Sequence, residues 1–145
     1  MDIPYEAWVL VADGEKFLLL QNEGDREYPN LKVITHEEIE NPPTREQGTD
    51  RPGRYEDVGV GKSAVEQTDW HWLEKERFVK DLAEKLQNWA LHDRFSKLII
   101  VAPPKILGVL RSNLHEKVAE RVFGEVDKDL SNHTIDNIER VLVAV

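Results

Sequence analysis

The segment Gly59-Val60-Gly61-Lys62-Ser63 carries the residue types that wrap a phosphate. Small residues let backbone N–H groups close around the oxygens, and a lysine meets their charge. A complete phosphate loop needs a glycine five residues before Gly61 and a buried strand ahead of it, but position 56 is Glu56 and Arg51-Pro52-Gly53-Arg54 is no buried strand. The segment therefore reads as a flexible loop in which Arg51, Arg54 and Lys62 gather positive charge and Gly59 and Gly61 free the backbone, a combination suited to a partner surface or an RNA phosphate. No catalytic set accompanies it. His71, His92, His115 and His133 are far apart, and His115-Glu116 followed by Glu120 does not place two imidazoles on one helical face as a zinc site requires. Asp13, Asp127, Asp129 and Asp136 raise the chemistry of a metal-dependent nuclease, yet Asp13 belongs to an Asp-Gly turn and the Asp127–Asp129 pair to the exit from a strand toward a capped helix. No Gly-x-Ser-x-Gly elbow presents a nucleophile, and with no cysteine there is neither a thiolate nucleophile nor a thiolate metal site. Nothing calls for a metal or other cofactor.

Four further residues carry recognition chemistry. Lys105 and Arg111 follow Pro103-Pro104, and seven residues from Pro104 to Arg111 make about two helical turns, so the two positions share one side. Arg111 reads first as a structural fork on a carboxylate, with Asp127 or Asp129 as partner, and second as an anion or RNA-phosphate contact together with Lys105. Trp70 and Trp72 flank His71 at the mouth of a long helix. There an exposed ring would stack on a base or a partner, while core packing is the expected role of at least one of them.

The bulk properties limit the partners. The chain has 145 residues, enough for one domain with one core, and its 40% hydrophobic and 32% charged composition is that of a globular protein. Its net charge of −9 is uneven, −8 in residues 1–50 and −1 in residues 51–145. An acidic surface of that kind speaks against non-specific DNA or anionic lipid as a partner, and leaves a protein, the ribosome or tRNA. The start MDIPYEAWVLVADGEKF lacks the basic and long apolar regions of a secretory signal, and no apolar run approaches the roughly 20 residues of a membrane helix, so a cytoplasmic location is expected.

The elements that must position these residues follow from periodicity. Ala7–Ala12 and Phe17–Gln21 are apolar runs joined through Asp13-Gly14, predicting a β-hairpin, and Leu31–Thr35 alternates as a half-buried third strand. Residues 40–69 hold Pro42, Pro43, Pro52 and several glycines without a sustained period, and read as a long loop. A helix is predicted from about Asp69 to His92 with Leu73, Phe78, Leu82, Leu86 and Trp89 inward. A buried strand follows at Lys97–Ala102, then helix from Pro104 with a break near Asn113, a strand at Val122–Val126, and a last helix capped by Ser131 or Asn132 with Ile135, Ile138, Leu142 and Val145 on one stripe. Strands joined through helices pair in parallel, so the expectation is one α/β domain over residues 1–145: a mixed sheet of about five strands with an antiparallel start and helices packed over it.

The stretches GRYEDVGVGKSAVEQTDWHWLEKERFVKDLAEKL, KLIIVAPPKILGVLRSNL and VDKDLSN resemble the host attachment protein family, described as proteins required for attachment to host cells. The resemblance runs essentially end to end and is most specific in APPKILGVLR, with its proline pair, Leu-Gly step and Leu-Arg step at fixed offsets. That family is distantly similar to the middle domain of archaeal and eukaryotic peptide chain release factors, which implies a ribonuclease H-like fold. In those factors a mobile loop before a long helix carries a Gly-Gly-Gln tripeptide into the peptidyl transferase centre. The corresponding place here is Gly59–Ala64, the tripeptide is absent and Lys62 stands about where its glutamine would be, so that hydrolysis is not carried over. The resemblance implies a non-enzymatic interaction protein that binds its partner through the 40–69 loop and the following helix. The alternative is a ribosome- or tRNA-associated, release-factor-like translation factor without Gly-Gly-Gln, and a third reading is a metal nuclease or hydrolase.

Overall fold

A computed structural model describes residues 1–39 and 60–145. Five strands, β1 (Trp8–Ala12), β2 (Lys16–Asn22), β3 (Leu31–Glu38), β4 (Leu98–Val101) and β5 (Val122–Val126), form one sheet in the order β3-β2-β1-β4-β5. The pairs β1–β2 and β2–β3 are antiparallel, and β1–β4 and β4–β5 are parallel. This is the mixed, ribonuclease H-like sheet expected from the sequence. The helices are α1 (Val60–Leu91), α2 (Pro104–Asn113), α3 (Glu116–Ala119) and α4 (Ile135–Ala144).

Side-chain alternation along the strands divides the core between two faces. Trp8, Leu10 and Ala12 of β1, with Phe17, Leu19, Leu98 and Ile100, meet Val79, Leu82 and Leu86 of α1, Ile106 and Leu110 of α2, and Val118 of α3. Val9 and Val11, with Leu20, Ile99 and Val101, meet Ile138 and Leu142 of α4. β1 lies at the centre of the sheet and is covered on both faces, so all five of its residues are buried. Burying each Leu or Val of such a strand is worth about 2 kcal/mol. Phe95 stacks on Trp8 at 4.8 Å between ring centroids and Trp89 meets Trp8 edge-on at 5.7 Å, closing the end of this core where α1 hands over to β4. One polar side chain is fully buried among these residues. Asn22 donates to the carbonyls of Ile3 (2.8 Å), Pro4 and Asp25 and accepts from the N–H groups of Gly24 and Asn30, so its burial is offset while it ties the chain start to the β2–β3 loop.

The hairpin between β1 and β2 turns where Asp13-Gly14 predicts it. The Asp13 carboxylate accepts from the N–H groups of Glu15 (2.7 Å) and Lys16 (2.8 Å), holding the turn locally. At the far end of α1 the chain stops in a Schellman arrangement: Arg94 N–H donates to the Trp89 carbonyl (2.9 Å) and Asp93 N–H to that of Ala90 (3.0 Å). Asp93 supplies the left-handed residue this requires, with φ of 52°. Its carboxylate then accepts from Arg121 (2.9 Å), whose guanidinium also donates to the Phe95 carbonyl and fastens the α1–β4 turn to the start of β5.

Five expectations change. Residues 60–69 are helical, not loop, because Lys62 through Gln67 contains no helix breaker and Gly61 falls in the first turn, where its cost is small; residues 40–59 of the expected loop lie outside the described residues. Leu73 is 53% exposed because it lies off the inward face of α1, which runs through Trp72, Val79, Leu82, Leu86 and Ala90. Val33 and Ile34 are exposed because β3 is the edge strand of the sheet, which α1 meets through the ion pair of Lys85 with Glu37 (3.3 Å) rather than by covering Val33 and Ile34. The cap of α4 is Thr134, which accepts from Asn137 N–H (3.2 Å), because Ser131 is taken up by carboxylates elsewhere. On α4, Ile138 and Leu142 are buried as predicted, whereas Val145, past the end of the helix, is exposed.

Candidate functional site

The two parallel strands at the middle of the sheet leave it in opposite directions. β1 turns back into β2, and β4 leads through α2 and α3 toward β5 on the other side. Connections that diverge in this way open a crevice at the carboxyl ends of the strands, the usual ligand position in an open α/β sheet. Here it measures about 570 Å³ and lies between the Asp13–Glu15 turn, Pro103 and Lys105 of the β4–α2 junction, and His71, Trp72 and Lys75 of α1.

Its two ammonium groups come from different helices. Lys105, exposed at the second position of α2, places Nζ 4.6 Å from the centroid of the Trp72 ring, a cation–π distance. Lys75 crosses the hairpin turn so closely that a Cβ on Gly14 would stand 2.4 Å from its Cγ. Of the three carboxylates that line the crevice, Asp13, Glu15 and Asp129, the two aspartates are engaged in their own turns. Asp13 accepts from the Ser131 hydroxyl (2.7 Å) besides its two backbone donors, and Asp129 accepts from the same hydroxyl (2.7 Å) and from Ser131 N–H. α2 opens on Pro103 and Pro104 with no side-chain cap, so the N–H groups of Lys105 and Ile106 meet no capping side chain.

The residues singled out in the sequence are spread over the molecule. Arg51, Arg54 and Gly59 lie outside the described residues. Gly61 and Lys62 fall in the first turn of α1. Trp70 is 47% exposed on α1, whereas Trp72 is half-buried against the core and carries Lys105 over its ring. Arg111 lies at the other end of α2 from Lys105, roughly 9 Å along the axis. Its fork is structural as predicted, but the partner is Glu125 of β5 (2.5 Å and 3.3 Å), not Asp127 or Asp129, because α2 runs antiparallel to β5 and its last turn passes the middle of that strand. The hydrogen bond to Glu125 and its charge raise the guanidinium pKa above the ordinary arginine value. Asp13 and Asp129, by contrast, do come together, through Ser131. Among the described residues no group of three or more His, Asp or Glu side chains is placed to hold a metal ion. Gly14, Lys75 and Ser131 were not legible as site residues. Lys75, three residues after Trp72 and so on the same helical face, carried the one usable signal.

α1 also has a reach that the crevice does not use. Val79 to Ala90, its sheet-covering stretch, rises about 17 Å, the length of a five-residue strand. From Val60 to Trp72, whose ring packs against the core, the helix rises roughly 18 Å. Trp72 and Phe78 still touch the core, while Trp70 and Leu73 are exposed.

Comparison with known proteins places these features. An uncharacterised protein of Rickettsia prowazekii (strain Madrid E), RP470, is 39% identical over 51 residues, 35% of this chain. The match takes in only about a third (34%) of the relative's own length. The family model named bacterial archaeo-eukaryotic release factor family 12 matches residues 6–142, a span running from before β1 into α4. The long helix leading to a ribonuclease H-like sheet is thus part of a family-wide match, and the chain belongs to bacterial archaeo-eukaryotic release factor family 12.

Proposed function

We propose that this protein is a cytoplasmic ribosome- or tRNA-associated factor of release-factor type that contacts its partner through the amino-terminal half of α1 and the segment before it. The observation that carries this reading is the family match over residues 6–142, which includes α1 whole. The reach of α1 supports it, since a helix rising roughly 18 Å before Trp72, its first core contact among the described residues, presents its leading end to a partner without moving the domain. Gly61 and Lys62 lie at that end, with Arg51, Arg54 and Gly59 close before them in the sequence. Cationic side chains there suit an RNA backbone, and an exposed Trp70 suits stacking on a base. Without Gly-Gly-Gln, the role is binding at or near the ribosome rather than peptidyl-tRNA hydrolysis by the release-factor route.

The host attachment resemblance supplies a second reading, a non-enzymatic protein that docks another protein on the same helix. The apolar exposure of Trp70 and Leu73 favours it, because neither residue is charged and both lie on α1 ahead of its sheet-covering stretch. Sedimentation of tagged protein with ribosomes at low and moderate salt separates the two. A ribosomal peak that Arg54→Gln with Lys62→Gln abolishes supports the translation reading. Its absence at low salt sinks that reading and leaves the protein-docking one.

A further inference from the structure

We propose that the crevice at the carboxyl ends of β1 and β4 binds the phosphate of a nucleotide, held between Lys75, Lys105 and the opening turn of α2. This goes beyond ribosome association and stands without it. The charge balance at the site is the starting point. Lys75 and Lys105 flank the crevice from two helices, and among the described residues neither has a carboxylate within salt-bridge distance. In a chain of net charge −9 carboxylates are plentiful, and three line this crevice, Asp13, Glu15 and Asp129, none of them within salt-bridge distance of either lysine. Asp13 spends its oxygens on Glu15 N–H, Lys16 N–H and the Ser131 hydroxyl, and Asp129 accepts from Ser131. The site therefore holds two cations with no ion-pair partner among the described residues, which an anion from outside can engage.

Both ammonium groups are held in place beforehand. Trp72 carries Lys105, and the stem of Lys75 lies against Gly14 at a distance that excludes any side chain there. Less side-chain entropy is lost on binding than for two free surface lysines. The uncapped N–H groups of Lys105 and Ile106 add two donors on the same side, which oxygen acceptors satisfy. The volume of about 570 Å³ exceeds what a bare phosphate ion fills and falls within the range of small-ligand sites, leaving room for a sugar and base. A phosphomonoester of a free nucleotide and a phosphodiester of an RNA strand present the same oxygens.

Titration of the full chain with adenosine monophosphate and, separately, with a single-stranded RNA hexamer lacking a terminal phosphate distinguishes the sources. The readouts are the ¹H–¹⁵N signals of the Lys105 and Ile106 amides and the Trp72 indole. The expected result is saturable movement of these signals with at least one probe, weakened about tenfold by Lys75→Gln and again by Lys105→Gln, each of which keeps most of the stem and removes the charge. Movement with the monophosphate alone assigns a free nucleotide, and movement with the hexamer alone or with both assigns an RNA strand. Signals that stay still with both probes at low salt, or affinities that neither substitution changes in variants with the wild-type melting temperature, overturn the proposal. The variants differ from those of the ribosome experiment, so either idea can fail alone.

Discussion

Gly14→Ala isolates the contact that joins α1 to the hairpin turn and shapes the crevice. A Cβ at position 14 would lie 2.4 Å from Lys75 Cγ and 2.7 Å from its Cβ and Cδ. Relief cannot come from swinging the lysine alone, because its Cβ, itself 2.7 Å away, is fixed to the helix backbone; α1 or the turn must move. Both are constrained, the turn by the two backbone donors on Asp13 and the helix by Val79 and Leu82 in the core. Overpacking at such a position costs about 2 kcal/mol. For a domain of this size that lowers the melting temperature by roughly 6 °C. Thermal and urea unfolding of Gly14→Ala measure the loss, and Gly14→Ala with Lys75→Ala, which removes the Cγ and Cδ contacts and leaves that at Cβ, is expected to recover part of it. A single variant within about 0.3 kcal/mol of wild type, or a double variant equal to the sum of the two singles, would refute the argument.

Leu82→Ala is expected to cost about 3 kcal/mol, because Leu82 is sealed between α1 and the sheet, while Leu73→Ala, at an exposed position on the same helix, changes urea stability by less than about 0.5 kcal/mol. Thr134→Ala removes the α4 cap and lowers stability by about 1 kcal/mol, whereas Ser131→Ala leaves α4 intact and loosens the bridge between the β1–β2 turn and the β5–α4 loop, a difference that amide exchange at Asn137 against Glu15 reads directly. The raised pKa of Arg111 keeps its charge wherever the protein is folded: a raised value contributes fully below the ordinary arginine value and is lost only as pH rises above it. The stability difference between wild type and Arg111→Met is therefore flat from neutrality to about pH 10, and a fall on that alkaline side would show that another group controls the pair.

The hairpin, the buried strand Leu98–Val101, the proline start of α2, its break near Asn113 and the parallel addition of β4 and β5 are written in the sequence, because each rests on a local signal: an Asp-Gly turn, a β-branched run, a proline at N1, a crossover through a helix. The extent of α1 was not legible, since the residues before Asp69 lack an apolar period and only the freedom of Lys62 through Gln67 from helix breakers speaks for helix there. Leu73 is exposed and Val79 buried because several apolar residues stand at near-helical spacing on α1, and only the placement of the helix on the sheet decides which of its faces, the one through Trp72 and Val79, is covered. Arg111 announced a carboxylate partner by its chemistry, but which one depended on the register of α2 against β5. The crevice belongs wholly to tertiary structure. Asp13, Lys75 and Lys105 stand in three elements far apart in the chain, and their meeting is decided by the opposite departures of β1 and β4 from the sheet and the placement of α1 and α2 on one of its faces.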